Sequence, residues 1–199
     1  MLIALISLKG GVGKTTTAVH LATYLQTKKP TLLIDADRNR SALVWSTEDN
    51  LPFTVASQAG APAFIAKHTH IITDMKAGPE EADIVDLARN NDLVILPTTP
   101  NHLDLNSTVR IVEIFRKHNI TNYKVLLTKV DPSTTSSKTA KLFLQDQELT
   151  TFKAQIPLLV VFEKASQHGK TVKDYSDERA KKAWRKYQEV GREVLNFVK

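Results

Sequence analysis

Lys9-Gly10-Gly11-Val12-Gly13-Lys14-Thr15-Thr16 gathers two lysines, three glycines and two threonine hydroxyls into eight residues. At that spacing these residue types suit one task, the cradling of phosphate. The glycines let backbone N–H groups close on anionic oxygens without Cβ clashes. Lys14 is placed for the β- and γ-phosphates of a nucleotide, and Thr15 can give its hydroxyl to Mg²⁺. The plain pattern G-x-x-x-x-G-K-[ST] would begin at Leu8, which is not glycine, whereas K-G-G-x-G-K-[ST] fits from Lys9 to Thr15 without exception. Lys9 is surplus to the cradle. At the start of the loop it is expected to point away from phosphates held by its own chain. A cation there is useful if it reaches a nucleotide on a second subunit, as an arginine finger does.

Carboxylates follow two later apolar runs. Thr31-Leu32-Leu33-Ile34 leads into Asp35-Ala36-Asp37, and His70-Ile71-Ile72-Thr73 ends in Asp74. Residues two apart project to the same side while strand geometry persists. Asp35 is therefore expected to hold a metal's water shell, and Asp37 to orient an attacking water. Asp74, at the end of an apolar strand, is expected to support Mg²⁺ through water. Gly78, four residues on, can let its loop approach a γ-phosphate and respond to nucleotide state.

These residues need a scaffold that brings strand ends together. Apolar runs at 2–7, 31–36, a short 53–56, 70–74, 93–97 and 124–128 read as strands. Helical patterns fall at 14–28, 41–47, weakly at 62–67, then at 80–90, 104–118, 138–147 and 176–198. Alternation of this kind predicts an α/β fold, a mostly parallel twisted sheet flanked by helices on both faces. The helix starting near Lys14 would add its N-terminal amides and dipole to the phosphate cradle. In such sheets ligands bind at the carboxyl ends of the strands, where all the motifs above fall.

With 199 residues and no Pro/Gly/Ser-rich linker or repeat, the chain reads as a single domain over 1–199. No 18-residue apolar run predicts a membrane span. The apolar N-terminus has no basic lead and runs into the phosphate loop, which argues against a signal peptide. The absence of cysteine excludes disulfides and thiolate metal sites and fits a cytoplasmic protein. A net charge of +6 suggests an anionic partner such as nucleic acid.

Taken together, Lys9–Thr16, Asp35-Ala36-Asp37 and Asp74–Gly78 resemble the three motifs of the ParA/MinD family of deviant Walker P-loop ATPases. Within that family they are most similar to the small ParA proteins that partition plasmids or position other cargo. Leu93-Val94-Ile95-Leu96-Pro97-Thr98-Thr99-Pro100 is similar to the strand and loop that follow, so the likeness spans nearly the whole chain. The resemblance implies a slow, partner-stimulated ATP hydrolase that uses Mg²⁺ and dimerises around two ATP molecules. It implies Lys9, Lys14 and Asp37 in catalysis, with Lys9 reaching the partner subunit's phosphates. Gly10, Gly11, Val12, Gly13, Lys14, Thr15, Thr16 and Asp35 would form the nucleotide site, and Thr15 and Asp74 would hold the metal. The ATP-bound dimer would coat nucleoid DNA without sequence preference until a ParB-like or other cargo adaptor stimulates hydrolysis. Two departures stand out: Arg38-Asn39 follows the second aspartate where the family usually has Pro-Gln, and Met75-Lys76-Ala77 follows the third where Thr-Pro-Pro is usual. With the phosphate loop at residue 9, no helix-turn-helix extension for operator binding is expected.

Thr128-Lys129-Val130-Asp131 resembles the [NT]-K-x-D signature with which related GTPases read guanine. A turn into Pro132 accounts for the same residues. ParA-like proteins use this region for adenine, so Thr128, Lys129 and Asp131 are assigned to the base, with ATP favoured and GTP open.

The last helical pattern carries Ala180, Ala183, Trp184, Tyr187, Val190, Val194 and Val198 near helical spacing, a face expected in the core. Arg179, Lys181, Lys182, Arg185 and Lys186 crowd its first half, with i, i+4 neighbours of like charge. Phosphates would relieve that repulsion. Lys181, Lys182, Arg185 and Lys186, with Lys153 and Lys164 upstream in the region where ParA-like proteins contact DNA, are the expected non-specific double-stranded DNA contacts. A solvated helix face would carry the same charges. The alternative function is a MinD-like, membrane-associated spatial regulator of cell division. It is disfavoured because 190–199 reads as the end of a packed helix, with no separate amphipathic tail.

Overall fold

The computed structural model describes residues 1–198. Its elements in chain order are β1 (Leu2–Leu5), α1 (Lys14–Gln26), β2 (Thr31–Ala36), α2 (Ser41–Trp45) with a 3₁₀ turn (Ser46–Glu48), β3 (Thr54–Ser57), α3 (Pro62–Ile65) and β4 (His70–Met75). Then come α4 (Glu81–Arg89), β5 (Leu93–Thr98), α5 (His102–Lys117), β6 (Tyr123–Leu127), α6 (Thr135–Asp146), α7 (Val161–Gln167) and α8 (Glu178–Phe197). The strands form one sheet in the order β3-β2-β4-β1-β5-β6, every pair parallel. From β1 the chain winds outward to β2 and β3, then returns through β4 and crosses to β5 and β6. The reversal flanks β1, which makes its carboxyl end the switch point where α/β sheets bind ligands.

Strand residues alternate between two cores, as a sheet covered on both faces requires. On one face Leu5, Leu33, Ile72 and Leu126 meet Leu21 and Leu25 of α1 and Tyr187, Val190 and Val194 of α8. On the other, Val94, Leu96 and Val125 meet Ile84, Ile111, Phe115 and Leu144 from α4, α5 and α6. Tight packing of α8 on α1 depends on Gly191, where a Cβ would lie 2.0 Å from Tyr24 Cδ1.

Most element boundaries move by a residue or two, and the caps explain two of the shifts. The helix expected from 104 starts at His102 because the Asn101 side chain accepts the Leu103 N–H at 2.9 Å. The helix expected from 176 starts at Glu178 because the Asp177 carboxylate accepts the Arg179 N–H at 2.6 Å. α7 was not anticipated. Nor was the run before it, which lies along the open edge of β6 through bridges Val125–Thr151 and Val130–Pro157. In the stretch expected to be packed helix, Val190, Gly191 and Val194 are buried; Lys199 lies outside the described residues. No helix among those residues is long and apolar enough to cross a membrane.

Candidate nucleotide-binding site

Sheet register assembles the site. Asp74 pairs with Leu5, the last residue of β1, and Asp35 pairs with Asp74. Both carboxylate motifs therefore stand beside the glycine loop that leaves β1. The loop turns on Gly11 and Gly13, whose φ angles of +80° and +83° would strain any residue with a side chain. Thr128 clips it from below: its hydroxyl donates to the Val12 carbonyl at 2.7 Å and also lies 3.0 Å from the Thr98 carbonyl.

At the floor, Lys14 is almost wholly buried, its Nζ 3.1 Å from Asp74 Oδ1 and 3.5 Å from Asp37 Oδ2. The Thr15 hydroxyl donates to Asp74 Oδ2 at 2.5 Å. Burial pushes the Asp74 carboxyl above its usual range, opposed by the Lys14 charge and the Thr15 hydrogen bond. A hydroxyl and a carboxylate in contact beside a phosphate cradle are hard oxygen ligands of the kind Mg²⁺ prefers. Thr15 and Asp74 thus fit the metal.

Asp35 and Asp37 take different roles. The expectation that Asp35 faces a metal's water shell meets a carboxylate already engaged by backbone amides. Its Oδ2 accepts the N–H groups of Ala42 and Leu43, both at 2.9 Å, and its Oδ1 that of Asp37 at 3.1 Å. It pins α2 to the end of β2. Asp37 lines the cleft with Asn39 and Ser41.

That cleft has a volume of about 630 Å³ and is lined by Lys9, Gly10, Gly11, Gly13, Lys14, Thr15, Thr16 and Asp37. A second cavity of about 550 Å³ adjoins it, sharing Gly13, Thr16, Lys129 and Ser166. Both volumes lie within the roughly 300–1,000 Å³ of small-molecule sites. The second is walled by Ile156, Pro157, Leu158, Phe162 and Tyr187, an apolar surface suited to a planar base. Sequence reasoning missed this wall, although the unbroken apolar run from Ile156 to Phe162 was its available signal. Of the residues assigned to the base, Thr128 and Lys129 line this cavity. Asp131 instead lines a third hollow on the outer side of the glycine loop, with Gly10, Gly11 and Asp104. There its Oδ1 accepts both the N–H and the hydroxyl of Ser133, which hold its carboxyl below the usual range.

Lys9 lines the cleft but leans outward, its Nζ 3.6 Å from Asp104 Oδ1 on α5. On α8, Lys181, Lys182 and Arg185 are exposed, with Lys181 paired to Glu178, whereas Lys186 is half-buried and held by Glu189 at 2.7 Å. Arg192, passed over in the sequence, is exposed and continues the line of Lys181 and Arg185 at i, i+4, i+11. Lys164 is exposed on α7. Lys153 is exposed near the far end of α8, where its amide donates to Glu193.

A family model described as the CobQ/CobB/MinD/ParA nucleotide binding domain matches residues 3–172. The chain is 30% identical over 200 residues to the maintenance of carboxysome distribution protein A of Gloeobacter kilaueensis, covering 96% of this chain and 93% of that one. An ATP complex of a McdA variant from Cyanothece superposes with a TM-score of 0.78 at 16% identity, over 98% of this chain and 96% of the other. The septum site-determining protein MinD of Pyrococcus horikoshii, complexed with Mg-ADP, gives 0.73 at 18% identity, over 100% and 98%.

Proposed function

The chain belongs to the CobQ/CobB/MinD/ParA nucleotide-binding family, and on that footing we propose that it is a ParA-type ATPase that positions cargo by cycling on and off DNA. The observation that carries this reading is the meeting of Lys14 with Asp37 and Asp74 at the foot of the glycine loop, with a second lysine, Lys9, outside it. Lys14 would bind the β- and γ-phosphates, and Asp37 would orient the attacking water. Thr15 and Asp74 would hold Mg²⁺, which when bound neutralises phosphate charge. The base cavity has an apolar wall at Ile156–Phe162 and lacks Asp131, which lines a neighbouring hollow, and both features favour adenine over guanine.

Lys9 would leave its own chain to reach a second subunit's nucleotide, making hydrolysis dimer-dependent. Lys181, Lys182, Arg185 and Arg192 offer a phosphate-binding strip about 16 Å long on α8. A cargo adaptor would then stimulate turnover and release the dimer. The likeness to proteins of carboxysome distribution makes a large intracellular assembly the favoured cargo.

The test is binding to random-sequence duplex DNA with no nucleotide, ADP, ATP and GTP, over a range of salt. Binding with ATP alone, weakening as salt rises, is expected. Binding that ignores nucleotide, or no binding, overturns the DNA-based reading.

A further inference from the structure

The surplus lysine has a dedicated seat on its own subunit. Asp104 sits in the first turn of α5, a turn fixed by its own N–H to the Asn101 carbonyl at 3.0 Å and by the Asn101 side-chain cap. The Thr99 hydroxyl donates to Asp104 Oδ2 at 2.5 Å, which holds the carboxylate plane and leaves Oδ1 for Lys9. The two partners differ in freedom: Asp104 is 18% exposed and braced, whereas Lys9 is 39% exposed on a glycine loop. At 3.6 Å the contact is a charge pair without a tight hydrogen bond, of the weak and readily exchanged kind. A triphosphate presents several negative charges to the same ammonium and would outcompete a single carboxylate.

We infer that Asp104 is a positioning residue for Lys9, holding it in cis so that dimer assembly around nucleotide must first break the Lys9–Asp104 pair. The inference rests on the reading that Lys9 acts in trans. It makes Asp104 a restraint on premature dimerisation, one that raises the nucleotide-bound subunit concentration at which dimers form. A pair of this exposure shifts an equilibrium about two- to fivefold. Two pairs break per dimer, so their combined effect is about four- to twentyfivefold.

Asp104→Asn keeps the shape and an oxygen for Thr99 while removing the charge. With saturating AMPPNP, sedimentation should show its dimer dissociation constant lower than that of the unaltered chain by about four- to twentyfivefold. In a Lys9→Ala background, measured at higher protein concentration to allow for its weaker dimer, the same substitution should change nothing. A second readout needs no dimer: in the nucleotide-free protein, Lys9 should react with an amine-labelling reagent about two- to fivefold faster in Asp104→Asn. If Asn distorts the turn, Asp104→Ser carries the same expectations. An unchanged or raised dissociation constant, or an equal effect with and without Lys9, overturns the latch. If Lys9→Ala alone dimerises and turns over ATP normally, the trans reading itself fails, whatever Asp104 does.

Discussion

Asp35 and Asp37 lie two residues apart, yet only Asp37 turns its carboxylate to the cleft, 3.5 Å from Lys14. Asp37→Ala should therefore still bind ATP and dimerise while its hydrolysis falls about a hundredfold or more. A single-turnover assay with radiolabelled ATP checks this, and normal turnover would remove Asp37 from the reaction. Asp35 is a different case because its charge is spent on three backbone N–H groups. Asp35→Ala leaves them unpaired in a buried place and should cost about 2 kcal/mol, a fall of roughly 4–8 °C in melting temperature. Weak nucleotide binding in that variant would follow from a loosened α2. Spacing alone could not separate these two carboxylates: the i, i+2 rule holds only while the strand continues, and β2 ends at Ala36. The meeting of Lys14, Thr15 and Asp74, by contrast, was legible, since a glycine loop leaving one strand and a carboxylate near the end of another both fall at the carboxyl edge of a parallel sheet.

Among the elements, the seam between α1 and α8 links the nucleotide loop to the basic strip. His20 of α1 lies in that seam, stacked on Tyr187 at 4.7 Å and edge-on to Trp45 and Phe162. Its Nδ1 pairs with the Thr16 carbonyl at 2.7 Å and its Nε2 accepts the Val172 N–H at 3.1 Å, an arrangement that requires the neutral ring. Burial lowers its pKa to about 4, against the opposing effect of the Thr16 bond. Because the folded pKa lies below the unfolded one, the unfolded chain takes up a proton that the native chain refuses. Stability is thus lost as pH falls from about 6.5 to about 4, by roughly 3 kcal/mol in full. Urea unfolding across that range should fall more steeply for the natural chain than for His20→Gln; parallel curves would refute it. Gly191→Ala should open the same seam, costing about 1–3 kcal/mol as Tyr24 is displaced. None of this was visible in the chain, where a lone histidine amid a helical pattern carries no mark of its partners. α7 escaped notice for a similar reason: seven residues hold too little periodicity to distinguish a helix from a loop.

At the scale of the whole molecule, the sheet turns its strand ends toward the nucleotide, while α8 lays its exposed charges along the outside. If the strip on α8 meets phosphates, each lost contact should lower the salt slope of DNA binding by about 0.9. Replacing Lys181, Arg185 and Arg192 together by Gln should therefore flatten log K against log salt by roughly 2–3 units for each subunit of the dimer in contact with DNA. Changing Lys186, half-buried and held by Glu189, should do much less than changing Lys181, whose pair with Glu178 is open to water and readily exchanged. An unaltered slope in the triple variant would send the DNA contact elsewhere on the surface.

The sequence by itself determined the α/β class, the parallel alternation and the phosphate loop, because glycine spacing and apolar runs act over a few residues and leave little choice. It also determined that carboxylates would follow strands. Only the tertiary structure decided which of them faces the lysine, since register sets Asp74 beside the end of β1, 69 residues from Leu5, and the amides of α2 take up Asp35 where β2 ends. The same holds for the apolar wall of the base cavity, supplied by a segment laid against the edge of β6, and for the seat of Lys9 on Asp104. Such contacts depend on where distant segments come to rest, and local preference along the chain carries no record of that.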